Sequence, residues 1–172
     1  EFFDAIPVKQ FKKINGSFFE KNFHIDKDFK IKEIFKTASK SNIDVIKSYK
    51  TLERLKFIEL PKLGFKELKK ISQKISKLSG CILMIDYGYI KPNNQDTLQS
   101  VMRHKKNILL NNLGKADVTA HVNFSLLNEF FSKNNLKIKN IITQKKFLEN
   151  MGILERAKII SKRMNFSEKS DL

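Results

Sequence analysis

One stretch constrains the fold of this chain more than any other. It is "LPKLGFKELKKISQKISKLSG" followed at once by "CILMID" and then "DYGY". In the first segment Phe65, Leu68, Ile71, Ile75 and Leu78 recur at three- and four-residue spacing with lysines between them. That period puts the apolar side chains on one face of a helix. Gly80 marks its end. The run from Cys81 to Ile85 is continuous rather than alternating, so it reads as a strand buried on both faces, with Cys81 as a small buried hydrophobe. A polar loop beginning at Asp86 then follows. Helix, glycine, buried strand and polar loop is the order of an α/β sheet, in which ligand-facing residues gather beyond the carboxyl ends of the strands.

The flanking segments fit the same class. Residues 5–13 alternate loosely as a strand. The "NGS" at Asn15–Ser17 signals a turn, and "FFEKNF" reads as the second arm of a hairpin. From Asp26 to Phe57 the pattern weakens, with helical spacing only around Ile43–Leu55, and the segment reads as an insertion or peripheral piece. Farther on, Asn123 is placed to cap a helix whose stripe is Phe124, Leu127, Phe130 and Phe131. "LKIKNII" alternates as a strand, and Thr143 can cap a last helix interrupted near Gly152.

Composition narrows the function classes. With 172 residues and 41% hydrophobic content that includes 15 Phe, the chain can fill one core. No apolar run approaches the ~20 residues that cross a bilayer. A single cysteine leaves no internal disulfide and too few thiolates for a cysteine zinc site. The charge of +16 would suit a polyanion. It is nearly all lysine spread along the chain, however, while arginine, the residue for bidentate phosphate contacts, is confined to Arg54, Arg103, Arg156 and Arg163. Nucleic acid is therefore the weaker expectation.

Three local clusters could carry chemistry. In "ADVTAHV", an extended backbone sets Asp117, Thr119 and His121 on one face, opposite Val118, Ala120 and Val122. The same arrangement also suits a polar strand edge whose Asp and His tie down a loop. "DYGY" places Asp86, Tyr87 and Tyr89 at a strand end, where Gly88 allows a positive φ or a close backbone approach. "DTLQSVMRH" offers Asp96, Gln99, Arg103 and His104. The 3 histidines, His24, His104 and His121, lack metal-ligand spacing, so no metal is expected. There is no P-loop, no G-x-S-x-G and no G-x-G-x-x-G.

Taken in order, "EFFDAIPVKQF", "CILMIDYGY", "DTLQSVMRH", "GKADVTAHVNF" and "TQKKFLENMGILERA" closely resemble the MidA-like class I S-adenosylmethionine-dependent methyltransferases, from Glu1 to about Arg156. The resemblance implies a Rossmann-like methyltransferase sheet with a helical insertion. It also implies a protein arginine N-methyltransferase linked to assembly of respiratory complex I, whose partner is a protein substrate such as a complex I subunit. Family members read N-E-F-x-D-A-[LI]-P at the end of the fourth sheet strand, and Glu1–Pro7 match that pattern. The glycine-rich cofactor loop and the ribose-binding acid lie upstream of it. The chain is thus expected to be the C-terminal half of a methyltransferase, 1–172 forming one partial domain. S-adenosylmethionine would be bound mainly by the missing N-terminal half, itself a partner.

Under this resemblance Glu1 and Asp4 position the acceptor. Asp117 and His121 are a second pair that orients substrate or takes a proton. Asp86, Tyr87, Gly88, Arg103 and His104 shape the acceptor pocket. The isolated chain is expected to be inactive, with an exposed strand edge that favours a homodimer. The compartment implied is the bacterial cytoplasm, or the mitochondrial matrix in a eukaryote. Two other readings stay open: a non-catalytic remnant or assembly module, and a basic nucleic-acid-binding domain.

Overall fold

The computed structural model describes residues 2–162 and Met164. The chain forms two compact units, Glu1–Ile138 and Lys139–Leu172. In the first, β1 (Lys9–Ile14) and β2 (Ser17–Ile25) make the expected hairpin. Asn15 and Gly16 both lie at positive φ, 49° and 80°. That pair of left-handed residues is what a two-residue hairpin turn with the native strand twist needs. β3 (Ile31–Thr37) returns along β2, with Phe19 opposite Thr37 and Ile25 opposite Ile31.

Two short helices follow, α1 (Lys40–Ser48) and α2 (Lys50–Glu53), and then β4 (Phe57–Leu60). β4 pairs antiparallel with β1, Phe11 opposite Ile58, so the sheet runs β3-β2-β1-β4. The stretch 26–57 is therefore not peripheral. It carries a strand of the largest sheet and two helices, and Ile46 and Leu52 are fully buried. Its weak pattern has a physical reason: helices this short have room for only a few core-facing positions, and Ile46 and Leu52 fill them.

The amphipathic segment forms α3 (Lys62–Leu78) as the spacing predicts. Its stop differs by one residue. Ser79 takes the left-handed conformation (φ 52°), and the Gly80 N–H closes back on the Ile75 carbonyl at 3.0 Å. Phe65 and Leu68 are buried, whereas Leu78 is exposed.

Next come β5 (Gly88–Tyr89), β6 (Gln99–Met102), β7 (Lys105–Asn107), β8 (Asp117–Thr119) and β9 (Val122–Asn123). β6 stands between β7 and β8, antiparallel to both, and β5 runs parallel to β9. α4 (Phe124–Lys133) starts at Asn123, whose side chain accepts the Leu126 N–H at 3.0 Å. Phe130 stacks on Phe65 with centroids 4.7 Å apart, and Tyr49 meets Phe65 at 5.3 Å. These rings join α2, α3 and α4 above the sheet face that presents Phe11, Phe18, Ile58 and Leu60. The Glu129 carboxylate accepts the Lys50 and Thr51 N–H groups at 2.8 and 3.0 Å, tying α4 to the start of α2.

The α/β class holds, but two expected strands do not form. The run Cys81–Ile85 belongs to no ladder among the described residues, and Cys81 is exposed rather than buried, as are Leu83 and Ile85. An apolar run of this kind is buried only when strands flank it on both sides, and here none does. "LKIKNII" likewise carries no strand ladder, although Leu136 and Ile138 pack against the core. The parallel Rossmann sheet is thus not assembled from the described residues, where β5–β9 is the parallel pair.

The second unit holds α5 (Gln144–Asn150) and α6 (Ile153–Ser161). Thr143 caps α5 by accepting the Lys146 N–H at 3.2 Å, and Gly152, at φ 84°, makes the break between the helices. Both features match the sequence pattern.

Candidate functional site

The motifs that stand far apart in the chain meet at one place. Asp86 is the hinge of the arrangement. Its Oδ2 accepts the backbone N–H groups of Phe2, Phe3 and Asp4 at 3.2, 2.9 and 3.2 Å, and its Oδ1 accepts that of Tyr87 at 3.0 Å. Asp86 therefore builds the site rather than facing an acceptor: both oxygens already serve the backbone. The loop it holds is further fixed by the Ala120 N–H, which donates to the Asp4 carbonyl at 2.9 Å.

Asp4 is buried, at 8% exposure. Its carboxylate lies close enough to the Tyr87 phenol to act on its titration. Among the described residues it pairs with no lysine, arginine or histidine. Burial pushes the Tyr87 phenol up. Hydrogen bonds with Thr119 and Gln99 act the other way, and the Asp4 carboxylate adds to the rise. The Tyr87 ring meets His121 edge to face, 5.4 Å between centroids. Gln99 and Thr119 stand opposite each other in the β6–β8 register, with the Gln99 Nε2 donating to Thr119 Oγ1 at 3.4 Å. Asp4, Tyr87, Gln99, Thr119 and His121 thus form one polar cluster.

Gly88 serves by close approach. A Cβ there would lie 2.0 Å from the Val122 carbonyl oxygen. With no side chain in the way, β5 lies against β9 and the Val122 N–H reaches the Tyr87 carbonyl at 3.1 Å.

Other expected site residues fall elsewhere. Glu1 lies outside the described residues. Asp117 is exposed and stands opposite Val101, along β8 from the Thr119 end. Arg103 and His104, at φ 51° and 61°, are the exposed turn residues between β6 and β7, at the other end of β6 from Gln99. The structure therefore does not bring Asp117, Arg103 or His104 into the cluster. The alternation in "ADVTAHV" holds for Thr119, Ala120, His121 and Val122, with Ala120 and Val122 buried, but Val118 is exposed.

Sequence reasoning missed a second layer beneath the cluster. Glu59 of β4 is buried, and its Oε1 accepts hydrogen bonds from Gln10 Nε2 at 2.8 Å and the Thr97 N–H at 3.1 Å. The Thr97 hydroxyl bonds to the other oxygen of Glu59. Tyr89 sits beside it. Its phenol is pushed up to about 12 by burial and by the Glu59 charge, against a hydrogen bond with Asn123. Glu59, Tyr89, His121 and Asn123 border a cavity of about 20 Å³, room for one water. The one available signal was an acid inside the apolar strand "FIEL".

The sequence profile described as "Putative S-adenosyl-L-methionine-dependent methyltransferase" matches residues 1–142. The chain belongs to this family. It is 28% identical over 165 residues to the Xenopus laevis protein arginine methyltransferase NDUFAF7, mitochondrial, covering 96% of this chain and 37% of that one. To its Rattus norvegicus counterpart it is 31% identical over 161 residues, covering 93% and 36%. The chain thus spans little more than a third of the length of these curated relatives. Among solved structures, a superfamily protein from Burkholderia thailandensis superposes with a TM-score of 0.74 at 19% identity, covering 98% of this chain and 46% of that one. A structure of a superfamily member and likely methyl transferase from that organism, bound to S-adenosyl-homocysteine, superposes at 0.71 and 19% identity, with 99% and 44% covered. The shared fold is therefore less than half of theirs.

The residues bordering two of the cavities do not by themselves fit S-adenosylmethionine. Besides the 20 Å³ cavity there is an open apolar groove of about 230 Å³ between α3 and the Ile82–Asp86 run, bordered by Phe2, Phe3, Ile71 and Leu83. Neither reaches the ~300–1,000 Å³ usual for a small-molecule or cofactor pocket. The acid at the groove's edge that could hold a ribose, Asp86, has both oxygens engaged by backbone donors.

Proposed function

We propose that this chain supplies the acceptor side of an S-adenosylmethionine-dependent protein arginine N-methyltransferase, with the cofactor gripped mainly by a portion that these residues do not include. The observation that carries the reading is Asp4: a buried carboxylate beside the Tyr87 phenol and lacking a cationic partner among the described residues. A buried carboxylate is costly unless a cation answers it. A guanidinium does so, and a carboxylate also orients it through paired N–H donors. Asp86 and Ala120 fix the Asp4 backbone, and the His121 imidazole stands beside Tyr87, available to take the proton that the acceptor nitrogen sheds. The names of the curated relatives favour arginine as the acceptor. A subunit of respiratory complex I is the substrate that the family resemblance suggests.

The exposed run at Ile82, Leu83 and Ile85 is the surface against which the cofactor-binding portion would add its strands. No helix among the described residues is long and apolar enough to cross a membrane.

Calorimetry tests the division of labour. S-adenosyl-homocysteine titrated into this chain alone gives no saturable heat. The same titration into the chain joined to the cofactor-binding portion of a family relative gives a single-site isotherm. Tight binding by the chain alone would overturn the reading.

A further inference from the structure

We propose that Glu59 is a positioning residue: acting through the Thr97 hydroxyl, it fixes the backbone of His121 and so holds the imidazole against Tyr87. The chain of contacts is short and directional. The His121 N–H donates to Thr97 Oγ1 at 3.0 Å. That oxygen, already accepting, turns its own proton to the Glu59 carboxylate. Glu59 also takes the Thr97 N–H at 3.1 Å, so both ends of Thr97 are clamped by one side chain.

Glu59 is itself held from the other side. It lies on β4 opposite Gln10 in the antiparallel register, and the Gln10 amide bridges from Glu59 to Asp96 Oδ1, at 2.8 and 2.6 Å. Asp96 in turn meets Lys21 Nζ at 3.3 Å, which also pairs with Glu33 at 2.9 Å. The lysine side chain is 6% exposed. The nearest cation of this chain of contacts thus stands beyond Gln10 and Asp96, and the donors that reach Glu59 directly are neutral. Their polarity is what matters. Three donors converge on two carboxylate oxygens, and no donor is needed in return. A glutamine at this position cannot satisfy that pattern. Its amide nitrogen would either face the Thr97 and Gln10 donors or leave the Thr97 proton without an acceptor.

The catalytic meaning of the latch rests on reading this face as the acceptor side. Its geometry does not, and the experiment separates the two. The chain carries 3 histidines. His24 lies at the end of β2 and His104 in the β6–β7 turn, so they serve as internal controls for His121. The full chain labelled with ¹³C-histidine is compared at one pH as wild type, Thr97→Val, Thr97→Ser and Glu59→Gln.

The expected result is loss of the Tyr87 ring-current displacement at His121 in T97V and E59Q, its return in T97S, and unmoved His24 and His104 in all. His121 signals unchanged in E59Q or T97V overturn the proposal. So does a T97S spectrum displaced as far as that of T97V, or movement of all the histidines together, which marks general loosening. Because E59Q is isosteric, it keeps the test decisive if T97V does not fold. The acceptor reading fails on a different result: methyl transfer by the joined enzyme that is indifferent to Tyr87→Phe. That outcome leaves the positioning result standing.

Discussion

Removing the Asp86 carboxylate gives the sharpest quantitative prediction. In Asp86→Ala the N–H groups of Phe2, Phe3, Asp4 and Tyr87 lose their acceptor together. The Phe2 donor is exposed and regains water at little cost. Those of Phe3 and Asp4 are partly buried, and each bond to a charged acceptor is worth about 1–1.5 kcal/mol here, at the low end because they share one oxygen. The loop thus loses about 2–3 kcal/mol of local stability. At ~1.4 kcal/mol per tenfold, the Phe3 and Asp4 amides exchange with deuterated water about 30- to 140-fold faster, while the β1–β2 ladder is unchanged. Asp86→Asn falls between the two. One amide oxygen can still receive the three donors, but the charge is gone and the NH2 faces the Tyr87 N–H. Unchanged exchange at Phe3 and Asp4 in D86A would refute the reasoning, because these residues would then be held by something other than Asp86.

Three further outcomes follow from the packing and the titrations. Gly88→Ala places a Cβ 2.0 Å from the Val122 oxygen, so β5 and β9 separate and thermal unfolding shifts down sharply; a near-native midpoint contradicts the close approach. Gly64→Ala meets the Phe3 ring at 2.9 Å and Ile6 at 3.1 Å, and by overpacking should cost about 1–3 kcal/mol in a denaturant titration. The Tyr89 phenol, raised from 10.0 to about 12, contributes stability that is fully present below its unfolded value and is lost as pH rises from 10 toward 12; Tyr89→Phe should be less sensitive to pH across that window, and parallel curves for the two proteins would refute the burial argument.

Much of this fold was legible because local rules and tertiary packing agree. The Asn15–Gly16 turn, the apolar stripe of α3, and the Asn123 and Thr143 caps each follow from the chemistry of a few neighbouring residues. The run Cys81–Ile85 was not legible, because its burial depends on strands that no residue within it encodes. The stretch 26–57 hid its role for a related reason: its few buried apolar residues, Ile46 and Leu52 among them, join a core whose other members lie far off in the chain. In the site, Asp86, Tyr87, Gly88 and His121 stood out by type and place. What type alone could not show is that Asp86 faces the backbone, or that Arg103 and His104 sit in a turn at the far end of β6. Glu59 and Gln10 escaped notice because a polar residue inside a short strand acquires meaning only from what lies across the register.

The central claim is that Asp4 receives a cationic acceptor, and one measurement bears on it most directly. The chain joined to the cofactor-binding portion of a family relative is given S-adenosylmethionine carrying a labelled methyl group and an arginine-bearing peptide, and transfer is compared between wild type and Asp4→Asn. The account predicts methylarginine from the wild type and a loss of at least ~100-fold in D4N, the scale of about 3 kcal/mol for an interaction with a buried charge. Equal transfer by the two proteins, or transfer to a neutral acceptor in place of arginine, would contradict it.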